Sequence, residues 1–99
     1  MTVWTRIKTR NAFVEAIGDK CLKGDGMEFI LHSDGRISGM VEGRCLTGKW
    51  VWRDTCFCRE ARLNNDDLST DCEIIEICGN RMRYTRNRGR GESSIVSIG

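Results

Sequence analysis

Apolar and polar residues alternate with a period of two along most of this chain, and glycine, asparagine or aspartate breaks the alternation at short intervals. The pattern is densest over residues 47–59, where Trp50 and Trp52 stand two apart, so that on a strand both rings share one face. Aromatics gathered on one face supply much of a small β core. Arg53-Asp54-Thr55 then forms a polar turn, and Cys56, Phe57 and Cys58 begin the return, which predicts a hairpin of residues 45–52 and 56–62 at the centre of an antiparallel sheet. Ahead of it, Cys21 and Leu22 open a short strand closed by Gly24-Asp25-Gly26. Residues 27–32 alternate Met27, Phe29 and Leu31 against Glu28, Ile30 and His32, and Asp34-Gly35 predicts a tight turn with both central residues at positive φ. Residues 36–42 return with Ile37, Gly39 and Val41 on one face, Gly39 marking a bend or a place where a large neighbour such as a tryptophan lies over the backbone.

After the Glu42-Gly43-Arg44 turn and the central hairpin, residues 64–67 read as a polar loop before a strand over 71–78, whose Ile74, Ile75 and Ile77 predict burial on much of both faces. Gly79-Asn80 turns the chain into residues 81–86, with Met82 and Tyr84 on one face, and residues 86–91 read as a flexible basic loop before a last strand at 94–98. Only residues 9–17 have helical spacing: Phe13, Ala16 and Ile17 share a face, Thr9 or Asn11 caps the start and Gly18 stands at the C-cap. The expected fold is therefore mainly β, a short N-terminal helix followed by a seven- or eight-stranded antiparallel meander closing into a small barrel, with a compact β-sandwich as the alternative. Trp50, Trp52, Phe29, Leu31, Phe57 and Ile75 are expected in or near its core. At 99 residues without an internal repeat, the chain forms one domain, 1–99.

Composition narrows the function classes. No apolar run approaches the about 20 residues of a membrane span, and residues 1–10 hold only Val3, Trp4 and Ile7 as sizeable apolar side chains besides Met1, too few for a secretory leader. As written, the chain reads as cytoplasmic, or periplasmic if a leader has been removed. The net charge of +2 is unevenly placed: residues 1–10 carry three positive charges and residues 81–90 five arginines, neither stretch with an acid, while residues 11–80 hold eight basic and thirteen acidic side chains. Arg81, Arg83, Arg86, Arg88 and Arg90, with Tyr84 among them, make a candidate anion-binding face, but so small a total charge disfavours nucleic acid.

Candidate chemistry is sparse. Six cysteines admit reduced core thiols, the reading that a cytoplasmic chain favours, or a disulfide, or a thiolate zinc site, although no Cys-x-x-Cys knuckle is present and no metal is expected. One strand register sets Cys56 opposite Cys78, another Cys58 opposite Cys72. His32 is expected at a turn on the surface, and Asp54, Glu60, Asp71 and Glu73 on a solvated outer face with cross-strand arginine partners. Gly89-x-Gly91 precedes a strand and not a helix, so it forms no pyrophosphate site, and no cofactor is called for.

The residues Gly48-Lys-Trp50-x-Trp52-Arg53-Asp54, Phe57-Cys58-Arg59, Asp71-Cys72, Gly79-Asn80-Arg81 and Gly89-Arg90-Gly91, with Arg10-x-x-Phe13 and Asp34-Gly35-Arg36-Ile37-x-Gly39, resemble a family of short bacterial proteins of about this length. Its members often carry the label dihydrodipicolinate reductase. A reductase activity is not supported by the sequence, which has neither the glycine fingerprint nor the length of a dinucleotide-binding βαβ unit. The resemblance implies a Cys58–Cys72 pair. Gly48-x-Trp50 is also similar to the motif of lipocalin and avidin-like barrels, as architectural analogy. The expected function is a non-enzymatic, monomeric module binding a small or anionic ligand, with Trp50, Trp52, Arg59 and Tyr84 as candidate ligand-binding residues. The alternative is a structural module docking a protein partner through a sheet edge or the 81–90 face.

Overall fold

The computed structural model describes residues 3–99. Nine strands and one helix follow one another: β1 (Thr5–Ile7), α1 (Arg10–Ile17), β2 (Cys21–Gly24), β3 (Met27–Leu31), β4 (Arg36–Val41), β5 (Arg44–Arg53), β6 (Cys56–Leu63), β7 (Asp66–Cys78), β8 (Arg81–Thr85) and β9 (Ser93–Ile98). Each strand from β2 to β9 pairs antiparallel with its successor, and β9 returns to β2 through Leu22 opposite Ile98. Eight strands thus close into an up-and-down barrel, which leaves the closed sheet without edges. The barrel expectation holds over the sandwich. Among the described residues, no helix is long and apolar enough to cross a membrane.

β1 is the strand that the alternation did not announce. Its three residues pair with β7 at Ile75–Ile77, beyond the Phe57–Glu73 pair where the β6–β7 ladder stops, and Arg6 Nη2 donates to Thr55 Oγ1 at 2.9 Å. Only Ile7 is buried, so a single inward side chain in a basic stretch carried the signal.

The helix plugs one end of the barrel. Thr9 is its N-cap, Oγ1 accepting from the Ala12 amide at 3.2 Å, and the Gly18 amide closes the last turn on the Val14 carbonyl at 2.9 Å. Phe13 and Ile17 are fully buried. The Phe13 ring lies 5.0, 5.1 and 5.2 Å from those of Trp50, Trp52 and Phe57. The indoles are tied to the same end, Trp50 Nε1 donating to the His32 carbonyl at 2.9 Å and Trp52 Nε1 to the Lys8 carbonyl at 3.2 Å. An eight-residue helix is too short to persist alone, so this aromatic docking is what holds it.

Three local expectations are corrected. At Asp34-Gly35 only Gly35 has positive φ; the link is a longer loop in which the His32 amide donates to the Arg36 carbonyl at 2.8 Å and the Asp34 carboxylate accepts from the Arg36 amide and Nε. Two consecutive positive φ values, 51° and 78°, occur instead at Glu42-Gly43. Residues 66 and 67 are strand and not loop: β7 runs for 13 residues, with a register shift opposite Glu60–Arg62 and Ser69 at φ 66°, and this irregularity breaks the alternation that would have marked it. The 86–91 stretch is not a loose loop. It forms a 3-10 turn at Asn87–Gly89, the Asn87 amide held by both Asp71 oxygens at 3.1 and 3.2 Å and the Gly89 and Gly91 amides donating to the Arg86 carbonyl.

At Gly39, a Cβ would collide with the Glu28 carbonyl oxygen and with Phe29 on the adjacent strand, so the large neighbour is a phenylalanine and not a tryptophan. Gly39→Ala is expected to lower stability by about 1 to 3 kcal/mol through this overpacking. Urea denaturation at pH 7 checks it, and an unchanged midpoint would mean that the strands separate there at no cost.

The expectation of reduced core thiols fails at one pair. The register that places Cys58 opposite Cys72 brings them into a disulfide, while Cys56 is free and buried, Cys21 and Cys78 are half-buried and Cys45 is exposed. The bond closes a segment with a sequence separation of 14. Opening it, by reductant or by Cys58→Ser with Cys72→Ser, is expected to lower the unfolding free energy by about 2 to 3 kcal/mol. Denaturant melts of oxidised and reduced protein measure the difference.

Candidate functional site: a cavity inside the barrel

Inward positions of the strands do not fill the barrel. Toward the plugged end, Phe57 and the aromatic layer close it; toward the other end a cavity of about 200 Å³ remains. Phe29, Leu31, Ile37, Ile75 and Met82 make its apolar walls, all of them less than a tenth exposed. Val41, Leu46, Leu63 and Leu68 stand near the turns at the open end, and Leu68 is 40% exposed at the mouth.

One wall is polar, and strand pairing puts it there. Phe57 lies opposite Glu73 and Arg59 opposite Asp71, and facing residues share a side of the sheet, so the face that carries Phe57 inward carries all four. Glu73 is 4% exposed, the one charged or polar residue buried in the core among the described residues. Its carboxylate lies 3.8 Å from Arg59 Nε, an ion pair too long for a hydrogen bond, and among the described residues it accepts no side-chain or backbone donor. Burial raises the Glu73 pKa from the ordinary 4.5 to about 7; the Arg59 charge opposes the rise, Asp71 adds to it and Arg86 opposes it.

The cationic side of this corner has donors to offer. Arg59 Nη1 donates to the Ser69 carbonyl at 2.8 Å, and Arg86 Nη1 to the Glu92 carbonyl and Ser94 Oγ at 3.3 and 3.2 Å. In each guanidinium the Nε and Nη2 groups make no hydrogen bond among the described residues. The Arg86 guanidinium stacks over the Tyr84 ring at 5.3 Å, and the Tyr84 hydroxyl makes a weak contact with Met27 Sδ at 3.7 Å.

Of the residues expected to bind ligand, Arg59 and Tyr84 line the cavity, whereas Trp50 and Trp52 belong to the plug and do not reach it. The five arginines from Arg81 to Arg90 do not form one face. Arg81 and Arg83 lie outside, over Trp4 at 5.9 and 4.5 Å, with Arg83 also paired to both Glu76 oxygens at 3.0 Å. Arg86 turns to the cavity, and Arg88 and Arg90 are exposed on the following turn. Strand alternation separates what composition had grouped.

Two further expectations change. Asp54 and Glu60 are on the solvated exterior as expected, but Glu73 is inside and Asp71 is half-buried, because the Cys58–Cys72 register sets their side of β7 inward. His32 is half-buried and not a free surface group, its Nε2 bonded to Ser38 Oγ at 2.7 Å. Among the described residues, no three His, Cys, Asp or Glu side chains are clustered to hold a metal ion. Glu73 is the site residue that sequence reasoning passed over, although it alternates in phase with Ile75 and Ile77, which was the available signal.

Fold and site together define a small up-and-down β-barrel, plugged at one end by a helix and hollow toward the other, with one charged corner in an apolar chamber. Compared with protein-family models, curated proteins and solved structures, the chain matches none of them.

Proposed function

We propose that this protein is a non-enzymatic binding module that takes a small, mainly apolar molecule into the barrel. The observation that carries the reading is the 200 Å³ cavity with the unbonded carboxyl of Glu73 on its wall. Apolar walls with a few convergent polar groups are the usual make-up of a ligand pocket. A module that only docked partners would have no use for an unfilled interior, since empty space forfeits packing energy at about 24 cal/mol per Å³. The Cys58–Cys72 bond supports placing this work in an oxidising compartment.

The test uses hexan-1-ol as a neutral probe in methyl NMR. Saturable shifts are expected at Ile37, Ile75 and Met82, and Ala61→Phe, which adds a ring to a buried wall position, is expected to abolish them while the amide spectrum stays dispersed. Shifts confined to exposed Val3, Val51 and Ile95 would contradict the reading.

A further inference from the structure

Resting on that reading, we infer that the ligand carries a single carboxylate head, held between Arg59 and Arg86, and that Glu73 enters the complex as a neutral acid donating its own hydrogen bond to that head. Donors outnumber acceptors around the chamber. Arg59 and Arg86 each retain Nε and Nη2 donors that make no hydrogen bond among the described residues, Arg59 Nε being ion-paired with Glu73 at 3.8 Å, and Tyr84 offers a hydroxyl engaged only by a sulfur. Against these stands one carboxylate among the described residues that line the cavity, Glu73; Asp71 does not line it, and its oxygens are turned to the Asn87 amide. A corner rich in donors calls for a head that accepts, and two planar guanidinium forks suit the two oxygens of a carboxylate.

Charge then fixes the state of Glu73. The groups that act on it are Arg59 from β6, Asp71 from its own strand and Arg86 from the end of β8, with the Tyr84 phenol on the same wall. With Glu73 ionised, two cations face two anions and the corner is neutral. A third carboxylate would then sit beside Glu73 in an apolar chamber, where like charges repel strongly. Taking up one proton from solvent removes that repulsion, leaves the corner with one net positive charge for the ligand, and gives Glu73 an O–H to donate. Glu73 meets this requirement already, since burial holds its proton to about pH 7. The tail lies along Phe29, Ile75 and Met82, and the small volume favours a short chain or a single ring.

The experiment compares hexanoate with hexan-1-ol by methyl NMR titration of the whole chain at pH 6 and pH 8.5. Hexanoate is expected to bind at least tenfold more tightly than the alcohol at pH 6. Its affinity is expected to fall with pH above 7, approaching tenfold per pH unit, while that of the alcohol does not fall in the same way. Arg86→Met should bring the acid-to-alcohol ratio toward one, and Glu73→Gln, which stays neutral and keeps a donor, should flatten the pH dependence. If the alcohol binds as tightly as the acid at pH 6, or hexanoate affinity is unchanged at pH 8.5, the carboxylate assignment is overturned and the cavity reading stands. If neither probe moves the cavity methyls, both are overturned.

Discussion

Phe13→Ala is expected to lower the unfolding free energy by about 3 to 5 kcal/mol, the range for removing a fully buried aromatic ring. Phe13 has no solvent exposure and touches three aromatic rings at once, so its loss leaves a hole that Trp50, Trp52 and Phe57 cannot close without leaving their own partners. Two of those partners are carbonyls of the loops at this end, His32 and Lys8, so the damage spreads from the helix to the links that flank it. Phe13→Leu keeps most of the volume and should lose roughly half as much. Urea denaturation followed by tryptophan fluorescence gives the energy, and near-ultraviolet circular dichroism reports whether the indoles remain fixed. A loss under about 1 kcal/mol with unchanged dichroism would mean that the helix is not the plug.

The second large effect belongs to Glu73. Its folded pKa, about 7, lies above the ordinary 4.5, so between those values the folded protein holds more protons than the unfolded chain. The Glu73 contribution to stability then falls as pH rises through this window and levels off above it, by roughly 3 kcal/mol in all. This is the reverse of the trend for a salt-bridged carboxylate, because desolvation here outweighs the attraction of Arg59 at 3.8 Å. Glu73→Gln removes the ionisation while keeping the shape, and is expected to be more stable than the parent at pH 8 by roughly the same 3 kcal/mol and nearly equal to it at pH 4.5. Denaturant midpoints across this range test the sign: a parent protein that grows more stable from pH 5 to pH 7.5, relative to the variant, would place the Glu73 carboxyl in a better-solvated setting. A stability deficit of this kind, kept at one point of an otherwise apolar wall, accords with a group retained for binding.

How far the sequence led is seen best by following the period of two. From Cys21 to Phe57 the inward side chains are aromatic or aliphatic, so Phe29, Leu31, Trp50 and Phe57 could be assigned to the interior from the sequence alone. The helix was equally legible, because Phe13 and Ile17 are four apart beside a capping Thr9. Reading failed where local chemistry contradicts the tertiary setting. Asp66 and Asp67 look like loop and are strand, since the partner strand and not propensity decides the pairing. Glu73 looks like surface and is core, since a charge in an apolar phase is read as solvent-facing unless the register is known. That register follows from Cys58 facing Cys72, which periodicity alone left open. The arginines misled for a related reason: Arg83 and Arg86 are near in sequence, yet one lies outside the barrel and the other at its cavity.

The central claim is that the barrel is hollow beneath its helix plug, and xenon tests it most directly. Apolar cavities that exclude water bind xenon. A crystal of the protein pressurised with the gas is expected to show one xenon atom inside the barrel, against Ile37, Ala61, Ile75 and Met82 and clear of Trp50. An interior without xenon, with Phe29, Met82 and Tyr84 closed across the chamber, would contradict the account and remove the ground for ligand binding within the barrel.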